Sequence, residues 1–160
     1  MSLGFISDIH LDSNSPKKTQ MFFDFLDQAK NKYSKLFILG DLFEYWIGDD
    51  DQSQDSLEVI KQLKKLSDSI EVFFIAGNRD FLIAKEFENK SGIKILEDMY
   101  IFSSGNKNIM VSHGDSFCID DKQYQSLKNE IRSSEWINDF LSKLREEIID
   151  PLTRSYFIFQ

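Results

Sequence analysis

Four short polar clusters carry the residue types a metal centre needs: Asp8-Ile9-His10, Gly40-Asp41-Leu42-Phe43-Glu44, Gly77-Asn78-Arg79-Asp80 and Ser112-His113-Gly114-Asp115. Carboxylate, amide oxygen and neutral imidazole together favour hard or borderline divalent ions such as Mn, Fe, Zn or Mg over thiolate-seeking ones. A carboxylate such as Asp41 can bridge two ions. Glycines 40, 77 and 114 let the backbone come close and turn where a side chain would collide with metals or substrate. His10 and His113 are the only 2 histidines in the chain, and both fall inside clusters. Each motif alone is a weak signal; in order and together they are a strong one.

Plainer uses exist for most of these residues. Asp8 and Asp41 also suit helix N-caps after strands, Asn78 a left-handed turn beside Gly77, and His113 a satisfied core histidine. Glu44, Asp80 and Asp115 suit either partners that orient ligands or solvated surface. The run Asp49-Asp50-Asp51 reads as a solvated loop rather than a third metal site.

The elements that must position the clusters are short apolar runs alternating with helical patterns, the signature of βαβ units and a parallel sheet. Strands are expected at Gly4 to Ser7, Leu36 to Leu39 and Val72 to Ala76. A first helix follows Ser15-Pro16, with Met21, Phe22, Phe25, Leu26 and Ala29 at helical spacing. A second carries the stripe Leu57, Ile60, Leu63 and Leu66. A short helix from near Asp80, with Phe81, Ala84 and Phe87 inward, ends at Ser91-Gly92. Three further strands, Ile93 to Leu96, Met99 to Ser103 and Asn108 to Val111, include a hairpin turned at Ser104-Gly105-Asn106. Helices then follow from Asp121 through Tyr124, Leu127, Ile131, Ile137, Phe140, Leu141 and Leu144 to Pro151, before an aromatic tail, Ser155 to Gln160. From Asp8 to Asp41, Asp41 to Asn78 and Asn78 to His113 the intervals are 33, 37 and 35 residues, each near one βαβ unit of about 30 or more. Each cluster therefore sits one crossover from the next, at the sheet edge where open α/β folds place ligands.

Composition sets limits on this reading. The 160 residues, 41% apolar and 14% aromatic, are enough for one domain over 1–160 with an ordinary core. A net charge of −8 argues against a nucleic-acid surface, because no basic patch is visible. A phosphorylated substrate would need cations, which divalent metals supply. The single cysteine, Cys118, excludes an intrachain disulfide and points to a reducing, cytoplasmic setting; its expected role is a buried small hydrophobe. Met1 to Leu11, broken by Asp8 and His10, does not read as a signal peptide. Runs such as Leu36 to Leu39 fall far short of the ~20 apolar residues that cross a bilayer.

The order D-x-H, G-D-x-x-E, G-N-x-D, H-G resembles the calcineurin-like metallophosphoesterases. The strings GDLFEYWIGDD (40–50), GNRDFL (77–82) and SHGDSFCIDD (112–121) look like one branch, the UDP-2,3-diacylglucosamine hydrolases of lipid A biosynthesis. Arg79 and the Trp-Ile-Gly-Asp-Asp string are the discriminating features, and the likeness covers residues 1 to about 140. It implies a layered αββα sandwich and two divalent ions, manganese first among the candidates. Asp8 and His10 would hold the first ion, Asp41 would bridge, and Asn78 and His113 would hold the second. It also implies that Asn78, Arg79 and Asp121 touch substrate, with Tyr124 nearby, and that Asp41, Asn78 and His113 serve catalysis. The implied reaction cleaves the pyrophosphate of a nucleotide-linked glycolipid, UDP-2,3-diacylglucosamine, to UMP and 2,3-diacylglucosamine 1-phosphate. Two ions ~3.5–4 Å apart would activate water and neutralise phosphoryl charge. A bilayer-resident substrate implies peripheral contact with the inner membrane; the oligomeric state stays open. The family closes its site with Gly-His-x-His, and no histidine follows His113 here. The expectation is thus a C-terminally incomplete version of the domain, offering three protein ligands per ion with Asp41 counted twice. The alternatives are a catalytically impaired remnant or a phosphodiesterase of other specificity.

Overall fold

Runs rich in Phe, Ile, Leu and Val become the four strands of a parallel sheet: β1 (Leu3–Ile6), β2 (Lys35–Leu39), β3 (Glu71–Ile75) and β4 (Lys94–Leu96), in that spatial order. The structure is a computed structural model and describes residues 2–50 and 53–143. Leu36 and Ile38 on β2 are fully buried, as is Phe74 on β3, the near-continuous burial that a parallel sheet covered on both faces imposes.

One face is covered by helices. α1 (Pro16–Lys32) begins with proline at its first position and ends with Lys30 and Lys32, cations that suit the negative end of the helix dipole. It buries Phe22, Leu26 and Ala29, whereas Met21, read as part of the stripe, is 71% exposed. α2 (Gln54–Ser67) is capped by the Ser53 hydroxyl, which accepts from the Ser56 amide. Its buried stripe is Val59, Ile60, Leu63 and Leu66; Leu57 lies outside it, because Val59 rather than Leu57 completes the helical spacing.

α3 (Lys85–Ser91) starts later than the sequence suggests. The residues from Asp80 are held in a non-helical turn, so Leu82, Ile83 and Phe87 point inward while Ala84 is exposed. Gly92 at φ 70° ends the helix, its amide donating to the Glu88 carbonyl.

The other face meets an antiparallel hairpin, β5 (Tyr100–Ser104) and β6 (Lys107–Val111), turned at Gly105-Asn106. Phe5, Phe37 and Phe73 are register partners across β1, β2 and β3. Phe102 of the hairpin stacks on Phe37 at 4.8 Å between centroids, the same spacing as Phe37 to Phe73. Such pairs contribute about 0.5–1.5 kcal/mol each beyond burial. With Ile75, Val111, Leu39 and Ile109 they form the core between the layers, so the first unit is a helix–sheet–sheet sandwich, as expected of the layered α/β fold.

The chain divides into two compact units, Met1–His113 and Gly114–Gln160. In the second, a single 3-10 turn (Asp115–Phe117) leads to α4 (Lys122–Ile131) and α5 (Ser134–Ser142). Asp115 anchors this unit. Its carboxylate accepts from Lys128 Nζ (2.9 Å), the Tyr124 hydroxyl (2.7 Å) and Arg132 (3.4 Å). Burial pushes the Asp115 carboxyl up, but the Lys128 and Tyr124 hydrogen bonds and the Arg132 charge outweigh it and hold the group below its ordinary value. Cys118 is exposed, not buried, because it lies in the polar turn after Phe117 rather than on an apolar helix face. Leu144, Pro151 and the tail from Ser155 to Gln160 lie outside the described residues.

Candidate metal centre

Beyond the strand ends the loops are stitched together by backbone. The Asp8 amide donates to the Gly40 carbonyl (3.1 Å), His10 to Asp41 (2.9 Å), Leu11 to Leu42 (2.9 Å), and Glu44 back to Leu11 (3.0 Å). Asp8, His10 and Asp41 adopt φ of 55°, 51° and 53°, the left-handed region that residues with a Cβ rarely occupy. Such strain gathers where surrounding structure overrides local preference, commonly at functional sites.

Asp8, Asp41 and His113 each bring a ligand atom within 4.8 Å of the others, a group able to hold a metal ion. Asp41 Oδ2 is nearly equidistant from the two imidazoles, 3.8 Å from His10 Nε2 and 3.9 Å from His113 Nε2. That is the position from which one carboxylate can serve two ions. The His113 Nδ1 hydrogen donates to the Leu39 carbonyl at 2.8 Å, which fixes the tautomer and leaves the Nε2 lone pair facing the site. Asn78 Oδ1 lies 3.1 Å from that Nε2. Two lone-pair atoms converging in this way are arranged as ligands of one cation. His10 Nδ1 lies 3.0 Å from Glu44 Oε2, yet it is buried and makes no aligned hydrogen bond. The donor set, two carboxylates, two imidazoles and an amide oxygen, fits divalent ions.

Asp80 organises the loops. Fully buried, it accepts from the amides of Asp41 (3.3 Å), Leu42 (2.7 Å) and Gly77 (2.8 Å). Burial pushes its carboxyl up to about 6 against those amides, and the Asp41 charge adds to the rise. The sequence offered orientation or solvated surface for Asp80; the structure selects orientation. A Cβ on Gly77 would stand 2.1 Å from Asp41 Oδ1, and one on Gly40 2.5 Å from His113 Nδ1. Gly114 differs: a Cβ there meets nothing within 4 Å, and its φ of 104° alone calls for glycine.

The four clusters do not all follow successive parallel strands, as their even spacing suggests. The first three clusters follow parallel strands β1, β2 and β3, but His113 follows β6 of the hairpin and reaches the site from the second layer. The interval of 35 residues before it spans α3, β4 and the hairpin, not one crossover.

Arg79 is 5% exposed, with Nη1 3.3 Å from Glu44 Oε1 and its amide donating to Asp41 Oδ1 (3.0 Å). Glu44 thereby faces both His10 and Arg79. Asp49 is not a solvated residue: Oδ1 accepts from Trp46 Nε1 and the Ala84 amide (both 3.1 Å), and Oδ2 from the Phe87 amide (2.8 Å). It caps α3 from a distance of 35 residues, which no local motif reveals. Asp121 and Tyr124 belong to the second unit, where Asp121 caps α4 through the Tyr124 amide (2.9 Å) and the Tyr124 hydroxyl bonds Asp115.

A layered α/β sandwich with carboxylates, histidines and an asparagine gathered at the strand ends defines a metal-dependent phosphoesterase scaffold. The chain belongs to the calcineurin-like phosphoesterase family, whose profile matches residues 1–155. Curated relatives named UDP-2,3-diacylglucosamine hydrolase are similar to it. The Chromobacterium violaceum protein is 37% identical over 143 residues, covering 89% of this chain and 60% of its own length. That of Haemophilus influenzae is 40% identical over 134 residues (83% and 56%), and that of Stenotrophomonas maltophilia 41% over 144 (89% and 58%). The chain thus spans rather more than half the length of these relatives. A crystal structure of an Aquifex aeolicus protein of unknown function shares the fold, with a TM-score of 0.51 at 20% identity over 81% of this chain and 71% of that one.

Proposed function

We propose that this chain carries the metal-binding portion of a hydrolase that cleaves the pyrophosphate bond of UDP-2,3-diacylglucosamine, releasing UMP and 2,3-diacylglucosamine 1-phosphate. The observation that carries it is the placing of Asp41 Oδ2 midway between two imidazoles, within a cluster that also includes Asp8 and Asn78. The named relatives supply the substrate.

Asp8, His10 and Asp41 would hold one ion, and Asp41, Asn78 and His113 the other, with manganese the favoured metal. Ions held there would supply Lewis acidity at the phosphoryl oxygens and a lowered pKa for the attacking water. The protein's part is positioning. The Leu39 carbonyl keeps the His113 Nε2 lone pair directed into the site. The Arg79 amide holds one Asp41 oxygen, leaving Oδ2 for the ligand side. Asp80 locks the loops bearing Asp41 and Asn78 together. Arg79 contributes its positive charge from beside Glu44 and, with Asn78, makes the first unit's proposed substrate contacts; on the second unit, Asp121 and Tyr124 are proposed for the same role. We place the protein in the cytoplasm, meeting the inner membrane at its surface to reach a lipid substrate. No helix among the described residues is long and apolar enough to cross a membrane.

The test is hydrolysis of UDP-2,3-diacylglucosamine with and without manganese, beside Asp41→Ala. Metal-dependent turnover lost in the variant supports the reading. Cation binding without turnover, in a folded protein, would count against it.

A further inference from the structure

Beside the metal centre lies a cleft of about 500 Å³, within the range of small-ligand sites. It shares a wall with the centre. Glu44, whose carboxylate approaches His10 at 3.0 Å, also lines the cleft, as do Leu11, next to His10, and Phe43, two residues from Asp41. The floor is apolar, made of the buried side chains of Leu11, Phe43 and Val59. The rim is polar, and the Tyr45 ring there is 48% exposed.

Charge decides what can enter. Asp12 and Asp55 stand on the rim, and no lysine or arginine is among the described lining residues. Lys18, which is not among the described lining residues, donates to the His10 carbonyl (2.6 Å) and pairs with the Asp12 carboxylate (3.6 Å). Asp55 occupies the first turn of α2, offsetting the positive end of that helix. A phosphate therefore finds no cation among the described lining residues and is left to the metal centre. Acyl chains fit poorly as well, because methylenes gain only against apolar walls, and here such walls form the floor alone. An uncharged group with vicinal hydroxyls and one flat face suits all three features. Hydroxyls donate to carboxylates, which accept only, and a planar base has an exposed aromatic ring to stack on.

We propose that this cleft binds the nucleoside half of a nucleoside-diphosphate substrate, ribose hydroxyls toward Asp12 or Asp55 and base against Tyr45, so that the diphosphate lies over the metal ligands. The inference rests on the function proposed above and gives that site its polarity: nucleoside on the Glu44 side, lipid elsewhere.

The experiment is equilibrium binding of UMP and uridine to the full chain, read by saturation-transfer NMR in metal-free protein and by calorimetry with magnesium. Thr19→Trp places an indole in the cleft from α1, and Tyr45→Ala removes the stacking ring. The expected result is at least a tenfold loss of UMP and uridine affinity in Thr19→Trp, a smaller loss in Tyr45→Ala, and cation affinity unchanged in both. Unaltered UMP binding by a folded Thr19→Trp protein would overturn the proposal, as would loss of 2,3-diacylglucosamine 1-phosphate binding in place of UMP. Nucleoside binding that Thr19→Trp abolishes, in a chain without cation-dependent hydrolysis, would support the cleft and count against the activity instead.

Discussion

At the scale of single residues, the site depends as much on a carboxylate that touches no ion as on those placed to hold one. Asp80 satisfies three buried amides, from Asp41, Leu42 and Gly77. Asp80→Ala strands those donors in the interior, and a loss of about 2–4 kcal/mol is expected in urea unfolding. Cation affinity, measured by calorimetry, should fall with it, since the loops carrying Asp41 and Asn78 lose their tie. The same carboxyl gives a pH signature. In the folded chain it keeps its proton up to about 6, whereas in the unfolded chain it releases it near 3.8. Between these values the unfolded state binds fewer protons, so its contribution favours folding below about pH 4 and is lost as pH rises through 6. Denaturation of metal-free protein across that window should show stability falling as pH rises, and Asp80→Asn should flatten the slope.

At the scale of elements, legibility tracked how local the cause was. Strands β1, β2 and β3 were visible because runs such as Leu36 to Leu39 and Val72 to Ile75 are apolar without interruption, as doubly covered parallel strands must be. The hairpin was visible from its Gly105 turn. The clusters announced the ligands because Asp8, Asp41 and Asn78 directly follow strands, and both histidines fell in place. What stayed hidden was made by distant partners. The start of α3 is set by Asp49, which caps it from the α2 side of the chain. The arrival of His113 from the second layer depends on the hairpin folding over Phe37. Leu57 and Met21 face outward because helical phase, fixed by packing, favoured Val59 and Phe22. The capping role makes a direct prediction: Asp49→Ala should cost about 1–2 kcal/mol and increase hydrogen exchange at the Ala84 and Phe87 amides while leaving α1 unaffected.

At the scale of the whole molecule, every proposed ion ligand lies in the unit Met1–His113, and each unit carries one tryptophan, Trp46 in the first and Trp136 in the second. Single-tryptophan variants therefore report the units separately. Cation at a hundred times its dissociation constant should stabilise the first unit by about 2.7 kcal/mol, read at Trp46. Chelation should reverse the gain, and Asp41→Ala should abolish it. The left-handed backbone at Asp8, His10 and Asp41 carries a further consequence, for the history a lineage can take. Each such residue holds on the order of 1–3 kcal/mol of strain, which glycine at the same place would relieve. If selection for cation chemistry relaxes, glycine at Asp8 or His10 erases a ligand and relieves strain in the same step. Drift on this scaffold then runs downhill, from a working centre toward a sturdier protein that no longer holds a metal.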